Sequence, residues 1–268
     1  MFECSSEKFL EFRDYIKKSR SFAVTGLTSI LRILLLKLVS DKKKILLITA
    51  SEQNALKFQN DFKKVFDLDS SIIPFQNISM YENVSRNLYE YAQQIEVLRG
   101  NSNIVICPVK SLLEKFPKPE FFEKNLLKIK VGDELDLKEL SEKLTKLGYK
   151  RSTMVSDIGE YSIRGDIADI YSLSSKPVRI ELWGDEVVDI RYFDNETQKS
   201  ISKAKETEIL PMYKFILNES VTAFSDEEGY FEGIEVYQNY FNDDLVGVLD
   251  YLRDYVLVFD ETSEIYSK

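Results

Sequence analysis

Short apolar runs with almost no polar interruption alternate with longer segments of helical period along the first third of the chain. Phe22-Ala23-Val24, Lys44-Ile45-Leu46-Leu47-Ile48-Thr49, Ser71-Ile72-Ile73-Pro74-Phe75 and Asn103-Ile104-Val105-Ile106-Cys107 read as buried strands. Apolar residues three and four apart predict helices over 7–20, 28–40, 52–66 and 83–99, with another opening at 109–115. Ser51 is the expected N-cap of the 52–66 helix, whose inward residues are read as Ala55, Leu56, Phe58, Phe62 and Val65. Strands that lack polar alternation are buried on both faces, so helices between them predict a parallel α/β sheet.

The texture changes after Pro117-Lys118-Pro119. Leu127-Lys128-Ile129-Lys130-Val131 alternates as a half-exposed strand does, and an amphipathic helix over 137–147 should stop at Gly148. Alternating strands are then predicted at 161–164, 167–171, 178–183 and 187–193, with Gly184-Asp185 as a tight turn. Tyr171 and Trp183 are read as core residues, Arg179 and Arg191 as solvated strand positions. A third texture begins near 211. The stretch 221–240 gives no clear element, whereas Tyr255-Val256-Leu257-Val258-Phe259 is a strand ending in Asp260-Glu261 that should return to the first sheet. The predicted organisation is a discontinuous parallel α/β domain (1–125 and 211–268) carrying an inserted antiparallel α+β module (126–210).

Composition narrows the function classes. The 268 residues are 44% hydrophobic and 12% aromatic with only ten Gly and six Pro, which fits packed cores. Ile30 to Val39, the most apolar helix, is interrupted by Arg32 and Lys37, so no membrane span is expected. The N-terminus lacks the basic-then-apolar order of a secretory leader, and a cytoplasmic location is expected. With no histidine, triads, metal sites and proton relays built on that residue are excluded; a site made of carboxylates alone is left open by the composition, and no metal site is predicted. Cys4 and Cys107 are not expected to pair in a reducing compartment. Basic residues outnumber acidic ones 19 to 15 over 1–125 but trail 3 to 13 over 211–268. Lys42, Lys43, Lys44, Lys63 and Lys64 could offer a weak basic face, although Lys42–Lys44 reads first as a solvated turn, and the acidic end would repel DNA.

The segment Gly26-Leu27-Thr28-Ser29-Ile30-Leu31-Arg32-Ile33 stands where a phosphate-binding loop of pattern Gly, four residues, Gly-Lys-Ser/Thr would stand. Gly26 matches the first position. Leu31 replaces the second Gly, Arg32 the Lys and Ile33 the hydroxyl residue. Leu31 brings a side chain where backbone N–H groups must wrap phosphate, and Ile33 cannot ligate Mg²⁺. The sheet is therefore read as degenerate P-loop ATPase-like, with no catalytic residue, nucleotide or magnesium expected in this chain. Asp260-Glu261 matches the second motif of many ATPases and is read as a relic.

Residues 148–194 carry the most specific signal. They run Gly148-Tyr149-Lys150-Arg151, then Gly159-Glu160-Tyr161-Ser162-Ile163-Arg164-Gly165-Asp166-Ile167-Ala168-Asp169-Ile170-Tyr171. Val178-Arg179-Ile180-Glu181-Leu182-Trp183-Gly184-Asp185-Glu186-Val187 and Ile190-Arg191-Tyr192-Phe193-Asp194 follow. This order resembles the UvrB-homology module shared by UvrB and the bacterial transcription-repair coupling factors. UvrB would need an intact phosphate loop and a long tyrosine-rich hairpin after the Pro74 region. Here Pro74-Phe75-Gln76-Asn77-Ile78-Ser79-Met80-Tyr81-Glu82 passes almost directly into a helix. Both departures favour the coupling-factor family, with a UvrB-type ATPase fragment and a stand-alone interaction domain as the alternatives.

The resemblance implies that the inserted module docks UvrA, and that RNA polymerase, DNA, ATP and Mg²⁺ engage other regions of a longer protein. It places Arg164 at the arginine of an Arg-Gly step, Lys150 or Arg151 at a basic position after Gly-Tyr, and Tyr171 where phenylalanine is usual. Arg164 suits an interface because its planar fork can hold a carboxylate through two hydrogen bonds. The competing reading pairs it with Glu160 or Asp166 on its own sheet. Asp185-Glu186 and Asp243-Asp244 read as turn acids, which favour local hydrogen bonds, and not as catalytic carboxylates.

Overall fold

The computed structural model describes residues 21–76, 87–173, 176–216, 234 and 244–267. Cys4, the helix expected over 7–20, the passage Asn77–Glu82 with the first turn of the 83–99 helix, Asp243, and 221–240 apart from Ile234 lie outside the described residues. The chain divides into two compact units. One comprises Met1–Phe75, Gln93–Leu113 and Val248–Lys268; the other Gln76–Ala92 and Glu114–Gly247. These breaks differ from the textural changes at 125/126 and 210/211.

The first unit is built on a four-stranded sheet in the order Val256–Phe259, Ile45–Thr49, Ile104–Pro108, Ser71–Ile72. Every pairing is parallel, with Ile45 opposite both Val256 and Ile104. The strand before Asp260-Glu261 thus does rejoin the sheet begun two hundred residues earlier. Both central strands are buried along their whole length, as the uninterrupted apolar runs require. Helices Ser29–Ser40 and Glu52–Phe66 cover one face, packing Ile33, Leu36, Ala55, Phe58 and Phe62 against Ile45, Leu47, Ile104 and Ile106. Each such side chain contributes about 1.5–3 kcal/mol by leaving water. Ser51 caps its helix by accepting a hydrogen bond from Asn54 N–H at 3.2 Å.

Several local expectations fail for identifiable reasons. Phe22-Ala23-Val24 forms no strand, because Val256–Phe259 fills the place beside Ile45–Thr49, and Phe22 and Val24 are exposed. Leu56 and Val65 flank the buried stripe of their helix and face outward. The strand expected over 71–75 pairs only at Ser71–Ile72, extended by Ile73 N–H to Ile106 O. Pro74, lacking an N–H, ends that ladder. The helix expected at 109–115 is a 3-10 turn, Val109–Leu113, anchored by Ser111 Oγ to Ile73 O at 2.7 Å.

The second unit centres on a six-stranded sheet in the order Ser200–Ala204, Glu186–Phe193, Val178–Trp183, Ile167–Ile170, Glu160–Arg164, Lys150–Arg151. Its pairings are antiparallel except the last, which is parallel. Helix Leu137–Lys146 buries Leu140 and Leu144, and the Tyr161 hydroxyl reaches Ser141 Oγ at 2.9 Å and Thr145 Oγ1 at 3.1 Å. The helix ends at Gly148, which has φ +93°, and a Cβ there would lie 2.5 Å from Tyr213 Cδ2. Two further ladders complete the unit: Leu127–Lys130 with Glu206–Ile209, and Phe116–Pro117 with Leu245–Val246. A buried Lys214–Glu114 ion pair at 3.3 Å fastens the segment after Pro211 to the segment before Phe116. That contact explains why the unit reaches beyond 126–210.

Candidate docking surface and relic loop

Within the first unit, Gly26 adopts φ +74° ahead of helix Ser29–Ser40, with no heavy atom within 4 Å of the place its Cβ would take. Leu31 is exposed, and Ile33 faces the core under the sheet. Arg32 is the residue of the three substituted positions that meets the Asp-Glu pair. Its Nη1 donates to Asp260 Oδ1 at 3.0 Å, and its Nη2 donates to the Glu261 carboxylate. They line a cavity of about 270 Å³ together with Lys57, Asp61 and Glu264. Burial raises the Asp260 carboxyl above its ordinary range against the opposing pull of Arg32. Glu261 sits at φ +50°, a left-handed conformation for a non-glycine residue, where it turns the strand into helix Thr262–Tyr266.

Two of the five basic positions proposed as a face, Lys44 and Lys63, are engaged within the unit. Lys63 bridges Asp67 and Asp69, and Lys44 donates to Gly100 O while lying 5.5 Å from the Tyr255 ring. Cys107 is buried, which pushes its thiol up to about 12.

In the second unit, strand register sorts the candidate side chains by face. Arg164 stands opposite Ile167, and Ile167 opposite Glu181. Trp183 follows two residues after Glu181 and shares its face. Arg164 and Trp183 therefore lie on one face at one end of the sheet, next to the turns at Gly165 and Gly184. Trp183 is 81% exposed, which overturns its reading as core.

Arg164 does pair on its own sheet, yet with neither expected partner. Its Nη2 donates to Asp169 Oδ2 at 3.0 Å, while the side chain stays 54% exposed. Asp169 is buried and takes two further bonds from Arg179, at 2.6 and 2.8 Å. Arg179 also lies 4.7 Å from the Phe193 ring. The Asp169 bond raises the Arg179 pKa further. Arg179 is thus a mostly buried clamp and not a solvated strand residue. Arg191 likewise is engaged, by Glu181 and Asp189. Glu160 is occupied by Ser156 and Asp157: burial pushes its carboxyl up, but their hydrogen bonds outweigh that and lower it.

The remaining candidates lie at the opposite end. Lys150 pairs with Glu160 and Arg151 with Tyr161. Lys150 therefore shares the Arg164 face, about 13 Å along the strand, whereas Arg151 shares the helix-covered side of Tyr161. Both are exposed. Tyr171 is partly buried there, and burial, aided by Tyr89 and Asp157, raises its hydroxyl pKa. The structure thus separates the four candidates into Arg164 at one end and Lys150, Arg151 and Tyr171 at the other. Trp183 and the Asp169–Arg179 pair were missed by sequence reasoning.

The fold and site define a mixed α/β chain in which a mostly antiparallel sheet presents an exposed tryptophan and an exposed arginine, the latter ion-paired to buried Asp169. Residues 127–215 match the UvrB interaction domain family. The chain is 31% identical over 212 residues to the transcription-repair-coupling factors of Staphylococcus aureus strains USA300 and NCTC 8325, covering 76% of this chain and 18% of those proteins. It is 30% identical over 224 residues to that of Staphylococcus haemolyticus strain JCSC1435, covering 81% and 19%. The chain is similar to the transcription-repair coupling factors and spans under a fifth of the length of these curated relatives. No helix among the described residues is long and apolar enough to cross a membrane.

Proposed function

We propose that this chain is the UvrB-like part of a transcription-repair coupling factor, and that its antiparallel module docks UvrA during transcription-coupled nucleotide-excision repair. The observation that carries this reading is the exposed Arg164–Trp183 end inside the segment that matches the UvrB interaction domain. Exposed arginine and tryptophan side chains on one face are the residue types that anchor protein interfaces. RNA polymerase and DNA would engage other regions of the longer protein.

The parallel unit serves as a non-catalytic mount, a degenerate P-loop ATPase-like sheet. The residues around Arg32 do not suit a nucleotide. Its guanidinium is held by two carboxylates, and Asp61 and Glu264 add to the negative charge that a triphosphate would meet. The intact Asp260-Glu261 pair favours the second reading, a UvrB-type ATPase fragment. Calorimetric titration separates them. The docking reading expects UvrA to bind and Arg164→Ala to lose about 1–3 kcal/mol of affinity. Saturable micromolar Mg-ATP binding with no UvrA binding would establish the other.

A further inference from the structure

We draw no further inference here: the strongest candidate, the cavity of about 270 Å³ that Asp61 and Glu264 line beside Arg32 and its two carboxylate partners Asp260 and Glu261, is an acidic cluster with no second feature pointing to a ligand, and it belongs to the relic loop already described.

Discussion

Arg32 Nη1 lies 3.0 Å from Asp260 Oδ1, joining the first described helix of the parallel unit to the end of its last strand across 228 positions of sequence. Asp260 is largely shielded from water, so its charge depends on that guanidinium. Arg32→Ala should lower stability by about 1–2 kcal/mol, read as a shifted urea midpoint at unchanged slope.

The same pair sets a pH dependence. Burial already holds the Asp260 carboxyl above its unfolded value, and removing Arg32 should raise it further. A carboxyl raised in the folded state penalises folding where it is charged, and the penalty fades as pH falls through the raised pKa. The cost of Arg32→Ala should therefore be largest near neutral pH and shrink in acid. Urea titrations of both proteins at pH 7 and pH 4.5 check this, and a cost that grows in acid would contradict it.

Asp169 and Arg164 should separate stability from affinity. Asp169→Ala leaves Arg179 mostly buried without its carboxylate and should cost about 3–5 kcal/mol in thermal or urea unfolding. Arg164→Ala removes a side chain that is more than half exposed and should cost under about 1 kcal/mol of stability. Comparable losses from both would show that Arg164 is structural.

Trp183→Ala should leave unfolding within about 0.5 kcal/mol of the unsubstituted chain, because its side chain is mostly in water. Under the docking reading it should weaken UvrA by about 2 kcal/mol in a calorimetric titration.

Two glycines with the same φ of +93° form a controlled pair. At Gly148 an added Cβ would lie 2.5 Å from Tyr213, whereas at Gly132 it meets nothing within 4 Å. Gly132→Ala should cost about 1 kcal/mol of backbone strain, and Gly148→Ala at least about 1 kcal/mol more, compared by urea midpoint.

The parallel sheet was legible because Ile45-Leu46-Leu47-Ile48 and Ile104-Val105-Ile106 have no polar residue to turn outward, and Ser51 marks its helix start chemically. The site was legible in type but not in arrangement. Trp183 reads as core by residue type, yet it shares the odd-numbered face of its strand with Arg179 and Glu181, and that parity was the signal for exposure. Asp169 sits in an apolar run, and no local pattern says that Arg164 and Arg179 converge on it; two strand pairings bring them together. Phe22-Ala23-Val24 has the composition of a strand, but a ladder needs a partner edge, which composition does not encode.

Asp169 accepts from two guanidinium groups at once, one mostly buried and one mostly in solvent. The inner one already neutralises it, so the outer one can let go without stranding a negative charge in the protein interior. Arg164 is therefore free to trade its intramolecular acceptor for a carboxylate on an arriving surface, and the sheet beneath it would not need to move.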